Sequence, residues 1–222
     1  MKKIACIGNF DGVHLGHQSL IRKVIELSGD YFIPSVITFE PDPEIVFSNK
    51  EKKYLTILNQ KKEYLFSLGI KEIIVVPFTK EISYISKDSF VQLFLNNFDL
   101  DTLVCGKDFK FGHKGEGSSD FLIKTNIKNF KVDVLEHVLY NDEKISSTLI
   151  GNLIREGNLN LARKLLNHDY SIEADIFKSE ILTENIVPLK GEYDVLVNCK
   201  KYKIKDNTIN LPDIKKVKMI FI

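Results

Sequence analysis

Over the first three quarters of the chain, short apolar runs rich in β-branched residues alternate with stretches of helical period, and few folds satisfy that alternation. Residues 3–7, 33–39, 73–76, 102–105 and 132–135 read as strands. Leu20, Ile21, Val24 and Leu27 line one face of a helix over 15–27, and Phe90, Val91, Phe94, Leu95 and Phe98 form a core stripe behind a capping Ser86. Thr56 suits the N-cap of a helix running to Leu68 and closed by Gly69, and two short helices fit 147–156 and 159–166, divided at Gly157. Strands separated by helices pair in parallel, because the helix supplies the crossover that a parallel neighbour needs. The fold class is therefore α/β, a Rossmann-like parallel sheet with helices on both faces.

After Tyr170 the texture changes. Residues 193–198, 202–204, 208–211 and 217–222 look like short strands with no helix between them, so a small C-terminal β module is expected. The division falls near residue 170, giving a first domain over 1–170 and a short, incomplete-looking β-rich remnant over 171–222. The 222 residues, 44% hydrophobic and 27% charged, suffice to bury a core without a metal or disulfide staple.

Thirty-one basic against 30 acidic side chains leave a net charge of +1, so no global field draws the chain to nucleic acid or to an anionic membrane. Any anion site must be local. Cys6, Cys105 and Cys199 are far apart, with no spacing that suggests a zinc site or a disulfide framework, and read as small hydrophobes in a reducing compartment. No run approaches the roughly 20 apolar residues of a membrane span, and no leader precedes the first strand, so a cytoplasmic location is expected.

Chemistry concentrates where the first strand turns into the first helix. Gly8, Asn9, Phe10, Asp11, Gly12, Val13, His14, Leu15, Gly16 and His17 follow one another there. Ligands of open α/β sheets bind beyond the carboxyl ends of the strands, and a helix start offers free N–H groups and a positive dipole end to phosphate. Glycines at 8, 12 and 16 let a ligand approach the backbone closely. His14 and His17, three residues apart, can offer two imidazole donors to one anion, and fixed donors aimed at a departing pyrophosphate lower the barrier to attack at the α-phosphorus of ATP. Gly106, Gly112, Gly115 and Gly117 mark 106–120 as a long loop.

The run His14-Leu15-Gly16-His17 matches the His-x-Gly-His signature of a nucleotidyltransferase superfamily. The longer stretch from Gly8 to Gln18 resembles the opening of the adenylyltransferase domain of prokaryotic bifunctional riboflavin kinase/FAD synthetases. The resemblance continues in order through Thr38-Phe39-Glu40-Pro41, Val76-Pro77-Phe78-Thr79-Lys80-Glu81, Gly106-Lys107-Asp108-Phe109-Lys110-Phe111-Gly112 and Ser146-Ser147-Thr148-Leu149-Ile150, and reaches Tyr170-Ser171 by way of Glu156-Gly157-Asn158. It implies a nucleotidyltransferase that condenses FMN with ATP, in the presence of Mg2+, to give FAD and pyrophosphate. Carried over, Gly8, Asn9, Phe10, Asp11, Gly12, Val13 and Gly16 would hold ATP, with His14 and His17 catalytic. Ser146, Ser147 and Thr148 would complete the ATP contacts, and Phe39, Phe78, Asp108 and Phe111 would shape the flavin side. No protein metal ligand is implied, and oligomeric state stays open.

Three departures qualify the resemblance. Leu149 and Gly151 stand where the family's late helix carries basic residues, which removes a bidentate phosphate clamp; Arg155, Lys107, Lys110 and Lys114 are the candidate substitutes. Asp42 stands where a histidine is usual. The C-terminal stretch lacks the riboflavin kinase motif, and Val187-Pro188-Leu189-Lys190-Gly191-Glu192-Tyr193 resembles only a strand entrance of that barrel, so kinase activity should be absent. Two other readings remain: a catalytically weakened nucleotide- or flavin-binding protein, and a transferase acting on another phosphate ester such as pantetheine phosphate, nicotinamide mononucleotide or glycerol phosphate.

Overall fold

The computed structural model describes residues 1–48, 52–93, 95–124 and 130–222. The chain forms two compact units. One comprises Met1–Phe10, Gly16–Glu51 and Lys62–Val138; the other comprises Asp11–Leu15, Lys52–Lys61 and Leu139–Ile222.

The first unit holds β1 (Lys3–Ile7), β2 (Ile33–Glu40), β3 (Glu72–Pro77) and β4 (Leu100–Gly106), which alternate with helices α1 (Leu15–Ser28), α2 (Pro43–Ser48), α3 (Leu58–Ser67), α4 (Lys80–Ser83) and α5 (Lys87–Leu93), except that Leu15 of α1 and the first turn of α3 count with the second unit. A short ladder of β5 (Lys110–Phe111) and β6 (Gly117–Ser118), helix α6 (Ser119–Lys124) and strand β7 (Lys131–Leu135) complete it. The sheet is all parallel in the order β3-β2-β1-β4-β7, as the alternation predicts. Consecutive residues of a strand point to opposite faces, so the burial of Ile4, Ala5, Cys6 and Ile7 together shows both faces of β1 covered. Cys6 and Cys105 belong to this core, and burial raises both thiols, Cys105 to about 12, which keeps them inert.

Several boundaries differ from the sequence reading for identifiable reasons. Helix α3 starts at Leu58, and Gln60 Oε1 accepts the Ile57 N–H at its start. Thr56 does not cap it, because its N–H and hydroxyl are committed to the loop at Asp11 and Gly12. Ser86 caps α5 as expected through the Ser89 N–H, whereas Phe94 of the predicted stripe lies outside the described residues. Within the stretch expected as a long glycine-rich loop, residues 110–118 form a short hairpin whose tip is a single 3-10 turn, His113–Gly115. A Cβ on Gly117 would stand 2.5 Å from the Phe111 ring, so close packing rather than ligand approach requires that glycine.

The second unit holds a short hairpin, β8 (Leu139–Tyr140) and β9 (Glu143–Lys144), then α7 (Ser147–Arg155) and α8 (Leu159–Leu166). Strands β10 (Ser171–Phe177), β11 (Glu180–Leu182), β12 (Glu192–Val197), β13 (Lys200–Lys205), β14 (Thr208–Ile209) and β15 (Ile214–Phe221) follow and close into a barrel. The module is thus not the incomplete set of strands its sequence suggests. Strands β10 and β11, passed over because Glu173, Asp175 and Glu180 interrupt the apolar signal, supply the closure. Ile172, Ala174 and Ile176 alternate inward on β10, which is the period of a half-buried strand. Val195, Val197, Ile204, Val217, Met219 and Phe221 fill the remaining interior.

Candidate active site

The loop leaving β1 is divided between the two units after Phe10. On the first side, the Gly8 N–H donates to the Ile37 carbonyl at 3.1 Å, and the Asn9 carbonyl accepts from Thr38 Oγ1 at 3.2 Å. Asn9 Nδ2 donates to Asp42 Oδ2 at 3.3 Å, while Asp42 Oδ1 accepts the Glu44 N–H at 2.9 Å at the start of α2. Pro43 occupies the first helical position, where a missing N–H costs nothing. Asp42 therefore joins the loop to α2 with two acceptor oxygens, of which a neutral imidazole could replace only one. Gly16 and His17 sit in the first turn of α1, whose leading N–H groups have no partner within the helix. The Phe10 and His17 rings lie 5.1 Å apart, which orients the His17 imidazole.

On the second side, Gly12 and Val13 take φ values of 80° and 40°. Asp11 Oδ1 accepts the Thr56 N–H at 2.9 Å, and the Gly12 N–H donates to Thr56 Oγ1 at 2.9 Å. Ser147 Oγ donates to the Asp11 carbonyl at 2.8 Å, and His168 Nε2 approaches the Gly12 carbonyl at 2.9 Å. Burial raises the Asp11 carboxyl above its usual range, opposed by the N–H groups of Thr56 and Leu55 and by the charges of Lys61 and Lys52. His14 is 5% exposed, and burial, reinforced by Lys144, pushes its imidazole down to about 4. It is a neutral ring near pH 7, able to donate one N–H, and an arriving phosphate favours its protonation.

Of the late-helix candidates, Ser146 caps α7 by accepting the Leu149 N–H at 3.2 Å, Ser147 reaches the loop, and Thr148 stands exposed in the first turn. Gly151 is buried, and a Cβ there would meet Ile186 Cδ1 at 3.0 Å and Arg155 Nη1 at 3.3 Å. Lys107 is engaged with Glu136 at 2.8 Å in the first unit.

The flavin-side candidates all lie in the first unit. Phe39 and Phe78 meet edge to face at 5.7 Å, and Phe47, 64% exposed, extends the pair at 5.8 Å from Phe78. Phe111 is buried in the core against Phe90, Phe109 and Phe121. Asp108 stands at the end of β4 with Oδ1 3.7 Å from His137 Nδ1. Sequence reading took Thr56 for a helix cap and passed over His168, Phe47 and His137. Only Phe47 left a signal, as an aromatic in the short helix behind Pro43.

Among the described residues no group of three or more His, Cys, Asp or Glu side chains is placed to hold a metal ion, and no helix is long and apolar enough to cross a membrane.

Residues 1–149 match the family model described as FAD synthetase. A bifunctional riboflavin kinase/FMN adenylyltransferase of Listeria monocytogenes is 36% identical over 183 residues, covering 81% of this chain and 58% of that relative. The chain thus spans somewhat over half the length of that protein. A second protein of the same organism, named FAD synthetase, is 31% identical, covering 86% of this chain and 79% of its own. In fold, a crystal structure titled macrolide-efflux protein from Streptococcus pneumoniae superposes with a TM-score of 0.84 over 99% of this chain and 84% of that one, at 21% identity.

Proposed function

The chain belongs to the FAD synthetase family, and from that premise we propose that it is an FMN adenylyltransferase, joining FMN to the AMP part of ATP and releasing pyrophosphate, without riboflavin kinase activity. The supporting observation is the preset loop: Thr56 and Ser147 fix the backbone at Asp11 and Gly12 before any nucleotide arrives. A backbone fixed in advance needs no reorganisation as charge builds on the leaving group. A phosphate oxygen of FMN attacks the α-phosphorus, the bond to the pyrophosphate oxygen breaks, and no covalent enzyme intermediate is required.

In this reading Gly8, Asn9, Phe10, Asp11, Gly12, Val13 and Gly16 hold the ATP phosphates, with Ser146, Ser147 and Thr148 contributing from the start of α7. His14 and His17 donate to the departing pyrophosphate. Phe39, Phe78, Asp108 and Phe111 shape the flavin side, and Phe47 joins them through its contact with Phe78. Mg2+ is assigned to the ATP phosphates rather than to a protein cage. Residues 1–170 carry the transfer, in the cytoplasm and without nucleic acid.

The test is chromatography of FAD and pyrophosphate after incubating the protein with FMN, ATP and Mg2+. Binding of both substrates with no product would sink the enzyme reading and favour a nucleotide- and flavin-binding protein, the alternative motivated by Leu149 and Gly151. Riboflavin in place of FMN should give neither FMN nor FAD.

A further inference from the structure

In the second unit, the left-handed half of the loop hangs on a relay of side chains that leads into the barrel. Gly12 has a φ of 80°, which glycine adopts freely, and the β-branched Val13 one of 40°, a conformation that persists at such a residue only where the surroundings hold it. Thr56 holds Asp11 and Gly12 through its N–H and hydroxyl. Its own segment is fixed in turn. The Tyr54 N–H donates to the Glu184 carbonyl at 2.9 Å, the Ile186 N–H to the Tyr54 carbonyl at 2.7 Å, and Asn185 Nδ2 to the Leu55 carbonyl at 3.2 Å.

Asn185 is fully buried, and its amide is used on every side. Nδ2 also donates to Gln60 Oε1 at 2.8 Å, while Oδ1 accepts the Glu173 N–H at 2.9 Å, with Thr183 Oγ1 beside it at 3.3 Å. Gln60 Nε2 donates to the Ser171 carbonyl at 3.0 Å. Ser171 and Glu173 belong to β10, so the relay ends on the barrel wall. A buried, fully satisfied amide fixes geometry, because each alternative arrangement leaves a donor or acceptor unmet.

We propose that Asn185 is a positioning residue for adenylyl transfer. It locks the segment 54–56 against β10 and, through Thr56, holds the backbone at Asp11 and Gly12 in the orientation the nucleotide phosphates need. The barrel then serves the reaction without touching a substrate. This inference rests on the reading of the loop given under Proposed function.

Full-length Asn185→Asp, Thr56→Val and Thr56→Ser are compared with the parent and with Lys203→Gln, whose side chain is 71% exposed on β13. Asn185→Asp turns an oxygen toward two acceptors, and Thr56→Val removes the oxygen facing Gly12. Two quantities are read: hydrogen exchange at the Gly12 amide without ligand, and steady-state FAD formation. Asn185→Asp and Thr56→Val are expected to speed Gly12 exchange and lower kcat by about tenfold or more each, with KM for FMN within about threefold of the parent. Thr56→Ser restores both, and Lys203→Gln changes neither. Thr56→Val carries the test if Asn185→Asp does not fold.

Unchanged Gly12 exchange in Asn185→Asp, or faster exchange with kcat intact, overturns the proposal. So does a loss of activity that merely tracks the folded fraction, with Thr56→Ser no better than Thr56→Val. A parent protein that forms no FAD, yet releases its Gly12 amide in Asn185→Asp, refutes the FMN adenylyltransferase reading while supporting the relay itself.

Discussion

Arg155 reaches back along α7 toward Gly151: its Nη1 lies 3.3 Å from where a Cβ on Gly151 would stand, and donates to Asn152 Oδ1 at 3.3 Å. The place a side chain at 151 would occupy is therefore already supplied with a guanidinium. Gly151→Arg should give no gain in FAD formation and a lower melting temperature, because its Cβ presses on Ile186 and its charge meets Arg155. Arg155→Gln should lower kcat/KM for ATP by about tenfold to a hundredfold, the range expected for a lost charge-assisted contact. Initial rates over an ATP series decide both.

His14 makes stability depend on pH. Its imidazole titrates near 4 in the folded chain, below its ordinary value of 6.5, so between these values the unfolded chain holds the extra proton. Stability is complete above about pH 6.5 and falls as pH drops toward 4, by roughly 3 kcal/mol at about 1.4 kcal/mol per pH unit. Urea midpoints measured from pH 7.5 to 4.5 should show this slope, and His14→Gln should flatten part of it. An identical slope in the variant would remove His14 as its source. Replacing both His14 and His17 with Ala should slow turnover far more than it weakens FMN binding.

Gly12 cannot take a side chain. Its φ is 80°, and a Cβ would stand 2.6 Å from Leu55 Cδ1. Gly12→Ala should destabilise the chain by at least about 2 kcal/mol and abolish most turnover, since the Thr56 contact cannot survive a displaced loop. Chemical denaturation alongside rate measurements tests this.

Phe47→Ala should leave stability within about 1 kcal/mol, because the ring is largely exposed, while raising KM for FMN roughly tenfold through loss of aromatic contact. An unchanged KM would take Phe47 out of the flavin side.

Much of the fold was legible because periodicity is local: 3–7, 33–39 and 132–135 declare themselves as strands within their own residues. The loop proposed to hold phosphate could be picked out for a similar reason, being contiguous. What escaped depended on partners far along the chain. Thr56 looked like a helix cap because capping is the commonest local use of threonine, yet its contacts lie 44 and 45 residues away. His168, 156 residues from Gly12, has no local pattern at all. Strand β10 was hidden by its charges, whose outward positions become meaningful only once the barrel is closed.

The separations that defeated local reading also set the order in which the protein matures. A ribosome makes Asp11 and Gly12 long before Ser147, His168 and Asn185, which secure them directly or through Thr56. A nascent chain can complete β1 to β7 while the loop after β1 is still unset. Activity should therefore appear only once the barrel strands have been made, and fragments that stop before the barrel should be silent.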